Sequence, residues 1–193
     1  MTYYEDNAKD YIAKTINVNM KDTYDFFLKY AKPKSRLIDI GFGSGRDMLY
    51  FKSLGFDVFG IDPTTDFYEE AKIKGLNVDC CEIMDLANSI IKYDLIWASA
   101  VLHHIQKALL NQSFKICNEL LEQDGIMYFS VKYGDFEGYD ELGRYFNYLT
   151  EKTMNDYLKD TGFKVIDIKI TEDILKRENK WLNVILKKVK LWR

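Results

Sequence analysis

Residues 37–47 read Leu-Ile-Asp-Ile-Gly-Phe-Gly-Ser-Gly-Arg-Asp. The apolar residues around Asp39 suit a buried parallel strand. Gly41, Gly43 and Gly45 then form a loop in which a side chain would obstruct a ligand. Met48, Leu49, Phe51 and Leu54 mark the apolar positions of a helix after it. Strand, glycine loop and helix together turn backbone N–H groups and a helix N-terminus toward a bound nucleotide. The spacing is Gly-x-Gly-x-Gly, not the Gly-x-Gly-x-x-Gly of dinucleotide sites.

Outward from this stretch, strand and helix patterns alternate. Strands are predicted at 36–40, 57–61, 77–81, 93–98 and 126–131, with helices at 46–54, 65–74 and 107–122. Such alternation predicts an α/β fold, a parallel sheet covered by helices on both faces. Ahead of it lie a polar, tyrosine-bearing helix at 4–15 and a second at 20–31, with Met20, Tyr24, Phe27 and Leu28 on one face. The chain reads as one domain over 1–193, with 1–31 as N-terminal cap helices. Thr150 is a plausible N-cap for a helix over 151–160, ended by Gly162. Residues 164–171 then alternate, with Ile166, Ile168 and Ile170 on one face. Residues 180–188 alternate again through Leu182, Val184 and Leu186. Two strands without a helix between them predict an antiparallel hairpin closing the sheet.

The chain has 193 residues, enough for one full core and too few for two comfortable ones. Its net charge of −3 argues against broad binding of nucleic acid or anionic membrane. Cys80, Cys81 and Cys117 lack metal-ligand spacing and read as reduced, mostly buried thiols of a cytoplasmic protein. Neither a signal peptide nor a membrane span is apparent, and no metal site is expected.

Asp62 closes the second strand about 20 residues after Gly41, where a carboxylate can accept from two ribose hydroxyls. The alternative is a turn aspartate before Pro63. With this glycine spacing, Asp62 points to S-adenosylmethionine (SAM) rather than NAD. After the third strand, Glu82 or Asp85 is a candidate acceptor for an adenine amine, with Ile83 and Met84 as apolar walls. Residues 99–105 follow the fourth strand, where ligands of open α/β sheets gather. His103 and His104 lie there, and either is a candidate general base or a packed junction residue.

These segments resemble those of class I SAM-dependent methyltransferases. Residues 39–45 look like motif I, with Phe42 where a small residue is usual. Gly60-Ile61-Asp62 resembles motif II and residues 93–98 motif IV. Residues 120–126 resemble the lead into the fifth strand, without its usual proline and one of its glycines. Gly45-Arg46-Asp47, residues 143–146 and residues 180–183 are more narrowly similar to small bacterial tellurite-resistance-like methyltransferases of the type 11 group. The resemblance implies a Rossmann-like, seven-stranded, mainly parallel sheet of order 3-2-1-4-5-7-6 with strand 7 antiparallel. It implies SAM as cofactor and S-adenosylhomocysteine as product. Gly41, Gly43 and Gly45 would surround the methionine end and Asp62 the ribose. Glu82 and Ile83 would flank adenine, with Ala98 and Leu102 beneath the cofactor. Asp39, Phe42 and Pro63 belong to the same cofactor-binding segments.

Methyl transfer asks for proximity, alignment and exclusion of water, so no fixed catalytic triad is expected. Tyr3, Tyr4 and Tyr11 are candidates for a lid. Tyr133, Arg144, Tyr145, Phe146 and Tyr148 follow the fifth strand, where the family places acceptor contacts. Tyr4, Tyr145 and His103 are the catalytic candidates. A small-molecule acceptor is the expected partner. The alternatives are an RNA-modifying methyltransferase, using Lys187, Lys188, Lys190 and Arg193, or a SAM-binding protein without turnover. An NAD-dependent dehydrogenase fits less well, for want of a second nucleotide-binding half.

Overall fold

The computed structural model describes residues 3–190. Arg193 of the terminal basic group, and both ends of the expected 1–193 domain, lie outside the described residues. Strands β1 (Arg36–Ile40), β2 (Asp57–Ile61), β3 (Val78–Asp79), β4 (Tyr93–Ser99), β5 (Leu121–Lys132), β8 (Phe163–Glu172) and β9 (Lys180–Lys188) form one sheet in the order β3-β2-β1-β4-β5-β9-β8. Pairing is parallel as far as β5, and β9 runs antiparallel to both β5 and β8. This is the Rossmann-like order expected, once the short strands β6 (Glu137–Tyr139) and β7 (Tyr145–Asn147) are set apart as a separate hairpin. The order reverses between β1 and β4, which opens a crevice at their C-terminal ends.

Both sheet faces are apolar, as buried parallel strands require. On one face Ile38, Ile96, Phe129 and Val184 pack against α5 (Lys107–Leu120) and α6 (Glu151–Leu158). Leu110, Phe114 and Cys117 give α5 its buried stripe. Thr150 caps α6, its hydroxyl accepting the Thr153 N–H at 3.2 Å. On the other face Leu37, Trp97, Tyr128 and Ile185 meet α2 (Lys21–Leu28), α3 (Arg46–Ser53) and α4 (Thr65–Ile73). Trp97 stacks on Tyr128 with centroids 4.1 Å apart, and Phe27 and Phe51 pack edge-on against it. Each such side chain contributes about 1.5–3 kcal/mol on burial.

The two N-terminal helices differ in character. In α2, Tyr24, Phe26 and Phe27 are buried in this aromatic cluster. In α1 (Tyr3–Thr15) only Ala8 is buried, and Asn7 breaks the helical backbone.

Three expectations are corrected. First, Ile166, Ile168 and Ile170 do not share one face. A bulge between Val165 and Asp167 turns Ile166 toward the α2–α3 side, while Ile168 stays on the α5 side. Second, the segment 133–148 that follows the fifth strand holds a hairpin, β6–β7, for which the residue pattern predicts no strands. Third, of the cysteines only Cys117 is buried, and Cys80 is exposed. At the start of β5, where the resembled family has a further glycine, Asp124 adopts φ 65°, a conformation Asp tolerates better than most residues.

Candidate cofactor and acceptor site

The glycine loop leaves β1 with Gly41, Gly43 and Gly45 at φ 73°, 52° and 76°. Only glycine takes up such angles freely. Space is also short: a Cβ on Gly41 would lie 2.5 Å from Val101, and one on Gly43 would lie 3.2 Å from the Tyr11 ring. Phe42 turns under the loop into the core, 5% exposed. It packs toward Gly60, where a Cβ would come within 3.0 Å of its ring and 2.5 Å of the Met48 sulfur.

Asp62 ties the loop to the end of β2. The Gly43 N–H donates to its Oδ2 at 3.0 Å, and the Thr64 N–H to its Oδ1 at 2.9 Å. Burial raises its pKa, and these two N–H groups oppose that. Asp39, on the strand entering the loop, is buried with Oδ2 unpaired. Burial first, then the nearby charge of Asp47, holds its carboxyl well above the usual carboxylate range. Asp47 itself is fully served. Its carboxylate accepts from the Tyr24 hydroxyl (2.5 Å), the Arg46 guanidinium (2.6 and 3.0 Å) and the Trp97 indole (2.9 Å). Arg46 also donates to the Thr15 carbonyl at 3.3 Å, fastening the end of α1 to the loop.

A cavity of about 200 Å3 runs from Gly41 and Gly43, past the ends of β4 and β5, to Trp181 on β9. Tyr4 and Tyr11 of α1 line it, with His103, Arg144 and Phe146. The Tyr4 hydroxyl donates to His104 Nε2 at 2.8 Å. His104 Nδ1 lies 2.8 Å from the Tyr145 carbonyl, which can only accept, so Nδ1 carries the proton. Burial pushes the His104 pKa down to about 4, so the ring is neutral and its Nε2 is an acceptor. His103 Nε2 lies 3.1 Å from the same nitrogen, whose single lone pair the Tyr4 hydroxyl already engages. His103 Nδ1 is buried without a partner. Burial, then its neighbour His104, hold His103 well below its ordinary value.

Several sequence candidates stand elsewhere. Tyr145 turns its ring away, its hydroxyl donating to Glu137 at 2.6 Å and accepting the Lys107 N–H at 3.3 Å. Tyr133 packs on the α5 side of the sheet, its hydroxyl beside Glu151. Neither lines the cavity. Ala98 and Leu102 are buried in the α5-side core, and Ser99 and Ala100 reach the cavity instead. Ile83 is buried in the same core, opening a short 3-10 turn. Glu82 and Asp85 form a reciprocal capping box, Asp85 accepting the Glu82 N–H at 2.8 Å and the Glu82 side chain accepting the Asp85 N–H, so neither exposed carboxylate is singled out as the adenine acceptor. Pro63 is exposed. Residue patterns did not single out Lys132, Asp173 or Arg177 as lining residues. Each is a charged residue at a strand or loop end, which in sequence looks like any solvated terminus.

The sequence profile of the methyltransferase domain family matches residues 12–168. An uncharacterized methyltransferase of Staphylococcus carnosus is 27% identical over 97% of this chain and 99% of its own length. An uncharacterized Rickettsia prowazekii protein is 30% identical over 50% of this chain, but the match spans only 42% of that protein. Among solved structures, the Burkholderia thailandensis 1,6-didemethyltoxoflavin-N1-methyltransferase superposes with TM-score 0.80 at 20% identity, covering 97% of this chain and 84% of that one. That structure holds 1,6-didemethyltoxoflavin and S-adenosylhomocysteine, and at this identity the likeness is one of fold. The family match takes in the glycine loop, Asp62 and the whole of β4 and β5, so the chain belongs to the methyltransferase domain family, as a class I SAM-dependent methyltransferase.

Proposed function

We propose that the protein methylates a small molecule held in the cavity between α1 and the ends of β5 and β9. The observation that carries this is the continuity of that cavity with the glycine loop. The loop fits SAM on two features: its glycines are crowded positive-φ positions, and Asp39 Oδ2 is a buried acceptor without a partner. Gly41, Gly43 and Gly45 would hold the methionine end, with Asp39 beside them. Asp62 would take the ribose, and Glu82 or Asp85 the adenine amine, with Ile83 supporting that turn from the core beneath. Bound SAM supplies an electrophilic methyl on a sulfonium.

The chain's own residues would orient the acceptor and exclude water. Tyr4 and Tyr11 would close the site from above. For an acceptor that arrives protonated, His103 Nδ1 is the candidate base, unpartnered but weakened by the burial that holds its pKa well below the ordinary value. Tyr4 is a weaker candidate, since its hydroxyl already donates to His104. Phe146 and Arg144 would wall the acceptor. Tyr145 and Tyr133 would support the wall from outside rather than touch the acceptor.

The fold neighbour from Burkholderia thailandensis, which acts on a small molecule, supports this acceptor class. RNA as acceptor is less favoured. Lys187 pairs with Asp124 at 2.9 Å, and Lys188 donates to the Asn118 and Leu121 carbonyls, both at 2.7 Å. Among the described residues no helix is long and apolar enough to cross a membrane. With three free thiols and no disulfide among them, a reducing cytoplasmic setting is our reading. We read the chain as one domain, with α1 as its cap.

The test is incubation with methyl-labelled SAM and fractionated cell extract. Label should enter the small-molecule fraction. Label in RNA or protein would refute the acceptor class. SAM binding without transfer to any fraction would favour a protein that binds SAM but does not turn over.

A further inference from the structure

The charged groups around the cavity pair off, with one exception. Arg46 is matched by Asp47 at 2.6 Å, Arg144 by Asp140 at 2.6 Å and Arg177 by Asp173 at 2.7 Å. Glu172 is matched by Lys180 at 3.3 Å. Lys132, the last residue of β5, lines the same cavity and has no carboxylate within salt-bridge distance among the described residues. Its ammonium sits 3.9 Å from the Phe146 ring centroid and donates to the Tyr148 hydroxyl at 3.2 Å. An ammonium has three N–H donors, so capacity is left over. The Arg144 guanidinium faces the same ring, 5.1 Å from its centroid. Two cations thus sit over one aromatic ring, and only one of them has its counter-charge. Burial, then the charges of Arg144 and Arg177, hold Lys132 below its ordinary value.

A half-buried cation without an anion costs free energy that a ligand's charge would offset. We infer that the methyl acceptor carries one negative charge, a carboxylate, which Lys132 binds over the Phe146 ring at the end of the cavity away from Gly41 and Gly43. One unmatched cation suits one negative charge, whereas the second charge of a phosphate dianion would find no unpaired cation on the wall. An aromatic or apolar body fits the rest of the wall, where Phe146 and Trp181 stand beside the neutral His103, centroids 5.2 and 5.4 Å away. This rests on the reading of the cavity as the acceptor site.

The test uses the full chain saturated with S-adenosylhomocysteine, titrated by calorimetry with benzoate, benzamide and phenyl phosphate. Benzoate should bind about tenfold or more tightly than benzamide, and more tightly than phenyl phosphate. Lys132→Met should bring benzoate down to the benzamide level, and Lys132→Arg should keep most of the difference. Affinity for S-adenosylhomocysteine should stay unchanged in both variants and serves as the control for folding. Equal binding of benzoate and benzamide by the unaltered protein would overturn the inference without any variant. So would preference for phenyl phosphate, or a Lys132→Met protein that still prefers benzoate. If S-adenosylhomocysteine does not bind while benzoate still binds through Lys132, the anion site stands and the methyl-transfer reading falls.

Discussion

At the scale of single residues, Asp62 has two duties. Its carboxylate holds the Gly43 and Thr64 N–H groups, and in the proposed cofactor site it would also receive a ribose. Asp62→Ala is therefore expected to lose about 1–3 kcal/mol of stability from the unpaired buried donors. It should also weaken S-adenosylhomocysteine by about tenfold or more. Denaturant unfolding and calorimetry on the same protein separate the two effects, and lost stability with full affinity would reduce Asp62 to a turn residue. His103 and His104 give a pH signature. In the unfolded chain each protonates as pH falls past the ordinary value of 6.5, but folded His104 does so only at about 4. At these two rings the unfolded state binds more protons across that window, so their contribution to stability is full above pH 6.5 and falls on acidification toward about 4. Unfolding curves across this range should be visibly flatter in His104→Gln. Asp62 stood out from its spacing alone. Tyr145 did not behave as its position suggested, because in a short strand one residue decides which side faces the cavity.

At the scale of elements, α1 is the least buried of the α-helices for its length. It buries only Ala8 and is held by Tyr4 on His104, by Tyr4 and Tyr11 against Phe67, and by Arg46 on the Thr15 carbonyl. Deleting residues 1–15 should leave a cooperatively folded protein in which methyl transfer falls by about tenfold, through loss of water exclusion. Equal turnover of the truncated and full chains on the true acceptor would refute the lid. Element β2 makes the opposite prediction. Gly60 lies under Phe42 and Met48, and a Cβ there would approach the Met48 sulfur to 2.5 Å. Gly60→Ala should cost about 1–3 kcal/mol by overpacking, read as a lower denaturant midpoint. The large Phe42 and the missing Cβ at Gly60 are thus two halves of one packing solution, visible only when β1 and β2 are seen in register.

At the scale of the whole molecule, a ligand that binds only the folded chain must stabilise it. S-adenosylhomocysteine at about a hundred times its Kd should add about 2.7 kcal/mol and raise Tm accordingly, while NAD should not. A shift with NAD alone would undo the cofactor assignment.

The order of residues by itself determined the sheet, the glycine loop and Asp62. These rest on local periodicity, backbone conformation and a short βαβ span, and they need no knowledge of distant contacts. Tertiary structure alone decided the acceptor end. Tyr4 meets His104 across 100 residues of chain, and Lys132 meets Phe146 through a hairpin that the residue pattern did not reveal. Which side chains face the cavity there depends on register and on two irregularities, in the β4–β5 and β8–β9 pairings, and a slip of one residue turns a strand's side chains to the opposite face. No periodicity in the chain encodes that choice; the packing of β5, β9 and the hairpin makes it.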